Sequence, residues 1–159
     1  LAGYGIESTV VDLTGDRVTV LRPGSITLEQ IRRVLGRAYA VEGTEQGIAP
    51  GTSPFHYAPR RRATIVPSES LAGRLDELAR RNATAAVLAL TPTLVGAPHQ
   101  VIVMPDDADG YARHLYRALR EADTVQVDEI LIELPPEREG VWLAVHDRLT
   151  RATRRPESA

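Results

Sequence analysis

The most constraining stretch of this chain is Thr84-Ala-Ala-Val-Leu-Ala-Leu90, an apolar run with no charge and no turn former inside it. A run this short, apolar at successive positions without alternation, reads as a strand buried on both faces. Such a strand needs a covering layer above and below, and the flanking sequence supplies both. Ala63 to Val66 reads as a short strand. Ser68 is placed to cap a helix whose Leu71, Leu75, Leu78 and Ala79 form one apolar face, ending near Asn82. Gln100 to Met104 is a further strand. Asp106 or Asp107 then caps a helix with Ala108, Tyr111, Ala112, Leu115 and Leu119 on one side. Ile130 to Leu134 is a strand, and Pro135-Pro136 leads into a last helix bearing Val141, Val145 and Leu149. Strands alternating with helices predict a parallel, doubly wound α/β sheet. The expected unit is a small Rossmann-like domain over residues 63–155, with a polar tail at 156–159.

Ahead of that unit, Gly5 to Gly24 reads GIESTVVDLTGDRVTVLRPG. Two Val/Thr-rich halves flank the turn chemistry of Thr14-Gly15-Asp16, which predicts a β-hairpin. Its polar residues, Ser8, Thr9 and Arg22, fall at strand ends, where they can meet a ligand while strand interiors pack. Thr27 and Gln30 then form a capping box for a helix over about Leu28 to Leu35, with Gly36 placed to end it. Leu28, Ile31, Val34 and Leu35 lie at helical spacing and predict a face turned to the hairpin's sheet.

Residues 37–62 show no sustained periodicity and hold three glycines and three prolines, Gly43, Gly47, Pro50, Gly51, Pro54 and Pro59, the composition of a linker. Within it, Phe55, His56 and Tyr57 stand between prolines. An aromatic cluster is out of place in a disordered tether, which has nothing to pack it against. The segment reads as a loop that closes over something, with an imidazole and a phenol suited to stacking on a base or bonding a phosphate.

The charge inventory narrows the chemistry. All 19 basic residues are arginine, so a lysine Schiff base and the phosphate-loop lysine are excluded; bound phosphate must be met by guanidinium or backbone N–H groups. Arg22, before Pro-Gly, suits such a contact. With no cysteine there is no disulfide, thiolate metal site or thiol nucleophile. A net charge of −2 gives no general attraction for nucleic acid or anionic membrane. No apolar run approaches the roughly 20 residues of a membrane span, so a cytoplasmic location is the default expectation. No G-x-G-x-x-G follows any strand, so no dinucleotide fingerprint is present. Helix capping accounts for Asp106, Asp107 and Asp109 better than a metal does. Arg60-Arg61-Arg62 reads as solvated, His99, His114 and His146 as hydrogen-bonded or solvated, and Trp142 as a core or edge residue.

The three segments GIESTVVDLTG, VTVLRPGSITLEQIRRVLG and APG-x₄-HYAP, in that order, closely resemble the YrdC-type L-threonylcarbamoyladenylate synthases. The match is to the longer form, which adds a C-terminal Sua-type domain, and MPDDADGYARHLYRALREAD and GVWLAVHDRLTRA resemble that form too. The resemblance implies a nucleotidyltransferase that condenses L-threonine, bicarbonate and ATP into threonylcarbamoyl-AMP and pyrophosphate, with Mg2+ held by the nucleotide phosphates. A downstream threonylcarbamoyl transferase then modifies an adenosine of tRNA. By position in the motifs, Ser8 is the implied threonine contact, Arg22 the implied contact to the ATP phosphates, and His56 and Tyr57 the implied linker residues over the nucleotide; no catalytic residue and no metal ligand is implied. One departure is visible: the family usually has a methionine, a basic residue and a tyrosine before HYAP, where this chain reads TSPF.

The family's Lys-x-Arg and Ser-x-Asn motifs belong upstream of GIEST, and Leu1 is not an initiating methionine. The expected organisation is a C-terminal remnant of the catalytic domain (1–36), a linker (37–62) and the accessory domain, with the 159 residues alone inactive. The rival readings are a non-catalytic, ligand-gated lid or regulatory module, and a nucleic-acid-binding piece that the chain's acidity disfavours.

Overall fold

The computed structural model describes residue 6 and residues 8–36, 41–42, 58–136 and 139–154. Two sheets are present among these. The first holds β1 (Val10–Asp12), β2 (Val18–Arg22) and β3 (Val41–Glu42), in the order β1-β2-β3. β1 and β2 form the expected antiparallel hairpin; Val10 faces Arg22, Val11 faces Val20, and the register slips between them. β3 pairs parallel with β2, so a short strand lies inside the span that composition marks as linker. Two residues are too few to leave a periodic signal.

Helix α1 (Leu28–Leu35) starts where its capping box predicts: Thr27 accepts from the Gln30 backbone, and the Gln30 side chain accepts from the Thr27 N–H at 2.8 Å. It stops at Gly36, whose positive φ of 63° a side-chain-bearing residue rarely adopts. Leu28, Ile31 and Leu35 pack on Val18 and Val20. Val34 does not join them and is 85% exposed, because the buried stripe of this short helix is narrower than its apolar spacing suggests.

The second sheet has β4 (Ala63–Val66), β5 (Ala85–Ala89), β6 (Gln100–Val103) and β7 (Glu129–Glu133), all parallel, in the order β4-β7-β5-β6. As the apolar run predicts, β5 is central and every residue of it is buried. Its alternate side chains serve two cores. Ala85, Val87 and Ala89 meet Leu71, Leu75 and Leu78 of α2 (Ser68–Arg80). Ala86 and Leu88 face the larger core built on α3 (Ala108–Thr124) and α4 (Gly140–Thr153). Each fully buried leucine in these layers contributes about 1.5–3 kcal/mol of transfer free energy. Helices on both faces make this the doubly wound α/β unit that the alternation predicts.

Two local expectations are corrected. Ser68 is the first helical residue and makes no cap; Pro67 holds the N-cap position. The Ser68 hydroxyl instead donates to the carboxylate of Glu133, a charge-assisted bond, rather than accepting from the amides of its own helix. Arg61 is not solvated: its backbone N–H donates to Asp123 Oδ1 at 3.0 Å and its guanidinium to the Val127 carbonyl, fixing the entry to β4. Of the two capping candidates on α3, Asp107 accepts from the Gly110 N–H at 2.7 Å. Trp142 is buried edge-to-face on Tyr111, ring centroids 5.3 Å apart. Among the described residues no helix is long and apolar enough to cross a membrane.

Candidate functional site at the hairpin end

The hairpin brings Ser8 and Arg22 to one end of one small sheet. Val10 is the Cα partner of Arg22, and Ser8 lies two residues before it. The register slip at Val10 re-aims the end of β2, a feature that recurs beside binding sites. Ser8 is exposed, as a ligand contact must be. Its backbone is held by Gly24: a Cβ there would fall 2.5 Å from the Ser8 carbonyl oxygen and 2.6 Å from the Thr9 nitrogen. Only glycine permits that approach.

Thr9 has a different task from its neighbour. Its hydroxyl donates to the Ile26 carbonyl at 2.8 Å and accepts from the Ile26 N–H at 3.2 Å. That clasp occupies the hydroxyl that sequence alone offers to a small polar ligand, so Thr9 ties the hairpin end to Ile26, while Ser8 beside it is exposed.

Arg22 is half-buried at the end of β2, turned toward α3 and α4. Burial lowers its pKa from the usual arginine value, and the neighbouring Arg148 pushes the same way; Tyr116 and Asp147 oppose them. Arg148 is itself buried. It donates from Nη2 to the Pro23 carbonyl at 3.1 Å, while its Nη1 pairs with Asp147. Arg151 meets the same carboxylate through two bonds of 2.9 Å. Buried Ile6 joins the core of α3 and α4, so the hairpin and the larger α/β unit share one packed boundary.

His56 and Tyr57 lie outside the described residues. Ala58 and Pro59, which follow them in sequence, line a cavity of about 150 Å³ with Tyr116, Leu119, Arg120 and Asp123 of α3. Tyr116 is also an electrostatic neighbour of Arg22.

The sequence reading missed Arg148, Asp147 and Arg151. One signal was available: Val141, Ala144, Val145, Arg148, Leu149 and Ala152 form one helical stripe, and a charge within such a stripe must find a buried partner. His99 and His114 behave as expected of structural groups. His99 Nδ1 accepts from the Ala85 N–H at 3.2 Å and Nε2 reaches the Leu75 carbonyl at 3.0 Å, while His114 bonds the Gly110 carbonyl of its own helix. Among the described residues, no group of three or more His, Cys, Asp or Glu could hold a metal ion.

Residues 26–153 match the family described as threonylcarbamoyl-AMP synthase, C-terminal domain, and the chain belongs to that family. It is 33% identical over 157 residues to a threonylcarbamoyl-AMP synthase of Pyrococcus abyssi, with 94% of this chain and 46% of the relative covered. It is 34% identical over 160 residues to the synthase of Bacillus subtilis, again covering 94% of this chain and 46% of the relative. The chain thus spans about half the length of the curated relatives it matches. In structure it is similar to P. abyssi Sua5 complexed with L-threonine, with a TM-score of 0.75, 29% identity, and 93% of this chain and 46% of that one covered. It is also similar to a variant of that protein with a histidine and the following tyrosine replaced by alanine (TM-score 0.76, 28% identity, 94% and 45% covered).

Proposed function

We propose that this chain acts as the C-terminal part of a threonylcarbamoyl-AMP synthase, which joins L-threonine, bicarbonate and ATP into threonylcarbamoyl-AMP and releases pyrophosphate. The observation that carries this reading is the shared hairpin end: an exposed Ser8 hydroxyl, a Gly24 contact that fixes its backbone, and an arginine at the paired position. Ser8 contacts L-threonine, Arg22 meets the ATP phosphates, and His56 and Tyr57 cover the nucleotide. Family membership supports the assignment, as does the L-threonine bound by a structural relative. The His-Tyr pair chosen for replacement in that relative supports the role given to the linker.

The reaction asks little covalent chemistry of protein. A threonine carbamate oxygen must be held in line with the ATP α-phosphorus while negative charge builds on the departing pyrophosphate. A guanidinium fork suits that charge, and this chain has no lysine to substitute for it. We place magnesium on the nucleotide phosphates, with which it would enter. The threonylcarbamoyl group then passes to tRNA through a separate transferase.

An open apolar groove of about 330 Å³, lined by Leu13, Ile26, Val34 and neighbours, supports placing this small sheet within a larger catalytic unit. The test is calorimetry on the full gene product. Arg22→Ala should weaken ATP binding by about 1.5–3 kcal/mol, the worth of a charged hydrogen bond. Ser8→Ala should weaken L-threonine binding and leave ATP binding in place. An Arg22→Ala protein that binds ATP as the parent does would refute the phosphate role.

A further inference from the structure

Arg148 is 8% exposed, and a guanidinium so placed is strongly destabilising unless fully partnered. One partner, Asp147, is its neighbour on α4 and is shared with Arg151. The other comes from 125 positions away: the carbonyl of Pro23, on the peptide directly after Arg22-Pro23. Pro23 and Gly24 are both buried, so that carbonyl depends on the bond from Arg148 as much as Arg148 depends on it. Pro23 fixes its own φ, and Gly24 is jammed against Ser8. A tie at the Pro23 carbonyl therefore fixes the last residue of β2 on both sides of the site.

We infer that Arg148 is a positioning residue for nucleotide binding: from helix α4 it holds the Arg22-Pro23-Gly24 corner, and through it sets where the Arg22 guanidinium meets phosphate. Electrostatics fits this division of labour. Arg148 and Arg151 together engage the carboxylate of Asp147, and the positive charge of Arg148 lies beside Arg22. The α/β unit would thus act on the site without touching the substrate, by fixing the corner on which the phosphate-binding arginine is mounted. The inference rests on the phosphate role of Arg22 proposed above.

The experiment is a double-variant cycle on the full gene product, reading ATP and L-threonine dissociation constants by calorimetry. Arg148→Met should raise the ATP constant about tenfold or more, the scale of one charged hydrogen bond. The L-threonine constant should stay within about twofold, a split that general loosening of the fold would not give. Arg22→Ala combined with Arg148→Met should bind ATP no more weakly than Arg22→Ala alone, since one residue acts through the other. Arg148→Lys keeps a cation and a donor and should lie between parent and methionine variant; it decides the matter if Arg148→Met does not fold. Unchanged ATP binding in the Arg148 variants, or additive losses in the double variant, would overturn the inference while leaving the role of Arg22 intact. A neutral Arg22→Ala would instead remove the reading beneath it and the inference with it.

Discussion

Gly24 lies directly against the peptide joining Ser8 to Thr9, close enough that any Cβ would fall 2.5 Å from the Ser8 carbonyl carbon. The atoms it would strike are backbone and cannot swing aside as a flexible side chain can. Gly24→Ala must therefore push β1 away from the corner after β2. We expect a loss of about 1–3 kcal/mol in stability by denaturant unfolding, together with weakened L-threonine binding, because the displaced residue is Ser8. Full stability in that variant would contradict the contact.

Thr9 is the second tie across the same corner. Its single hydroxyl satisfies both backbone groups of Ile26. Thr9→Val keeps the shape and removes both bonds, and should cost about 1–2 kcal/mol. Thr9→Ser should retain most of it, since the hydroxyl remains. Equal stability of the valine and serine variants would show that the clasp contributes nothing.

Glu133 gives a pH dependence with a definite sign. It is 1% exposed, and accepts from Leu90 N–H and Thr91 N–H at 2.7 Å each and from the Thr91 hydroxyl at 2.9 Å. Burial alone would raise its pKa, but hydrogen bonds from Thr91, Ser68 and Leu90 outweigh it and hold the carboxyl below the usual glutamate value. A group with a depressed folded pKa contributes stability that is present above its unfolded pKa and lost as pH falls through the folded one. The parent should therefore lose stability below about pH 4.5, in part through this residue. Glu133→Gln should be less stable at neutral pH and show a shallower acid dependence in urea titrations. An identical slope in both proteins would remove Glu133 as the source.

The 159-residue chain by itself should release no threonine-dependent pyrophosphate from ATP. It contains neither a Lys-x-Arg nor a Ser-x-Asn motif, and it spans 46% of the P. abyssi and B. subtilis synthases. A coupled pyrophosphate assay beside a whole synthase checks this; turnover matching the whole enzyme would place the chemistry within these residues.

Elements fixed by local pattern were legible in the sequence. The apolar run at β5, the capping box at Thr27 and the turn between β1 and β2 each depend on residues close together in the chain, where spacing carries the physics. What stayed hidden depends on distant partners. Ser68 looks like a cap because nothing nearby announces that Glu133 will arrive beside it. Arg61 looks solvated because Asp123 and Val127 are more than sixty positions away. Ser8 and Arg22 could be placed at one hairpin end from the strand pattern alone. That Arg148 grips the same corner could not, because the order of strands and helices does not say which face of α4 the hairpin meets.

The order β4-β7-β5-β6 has a consequence for how the molecule comes into being. The strand seated between β4 and β5 is the last of the four to leave the ribosome. Until Glu129–Glu133 emerges, β4 has no hydrogen-bonded neighbour in its sheet, and the cap of β5 to Glu133 cannot form. A nascent chain halted before that point carries β4 as an unpaired apolar segment, so this unit stays open to aggregation until its last strand has been made.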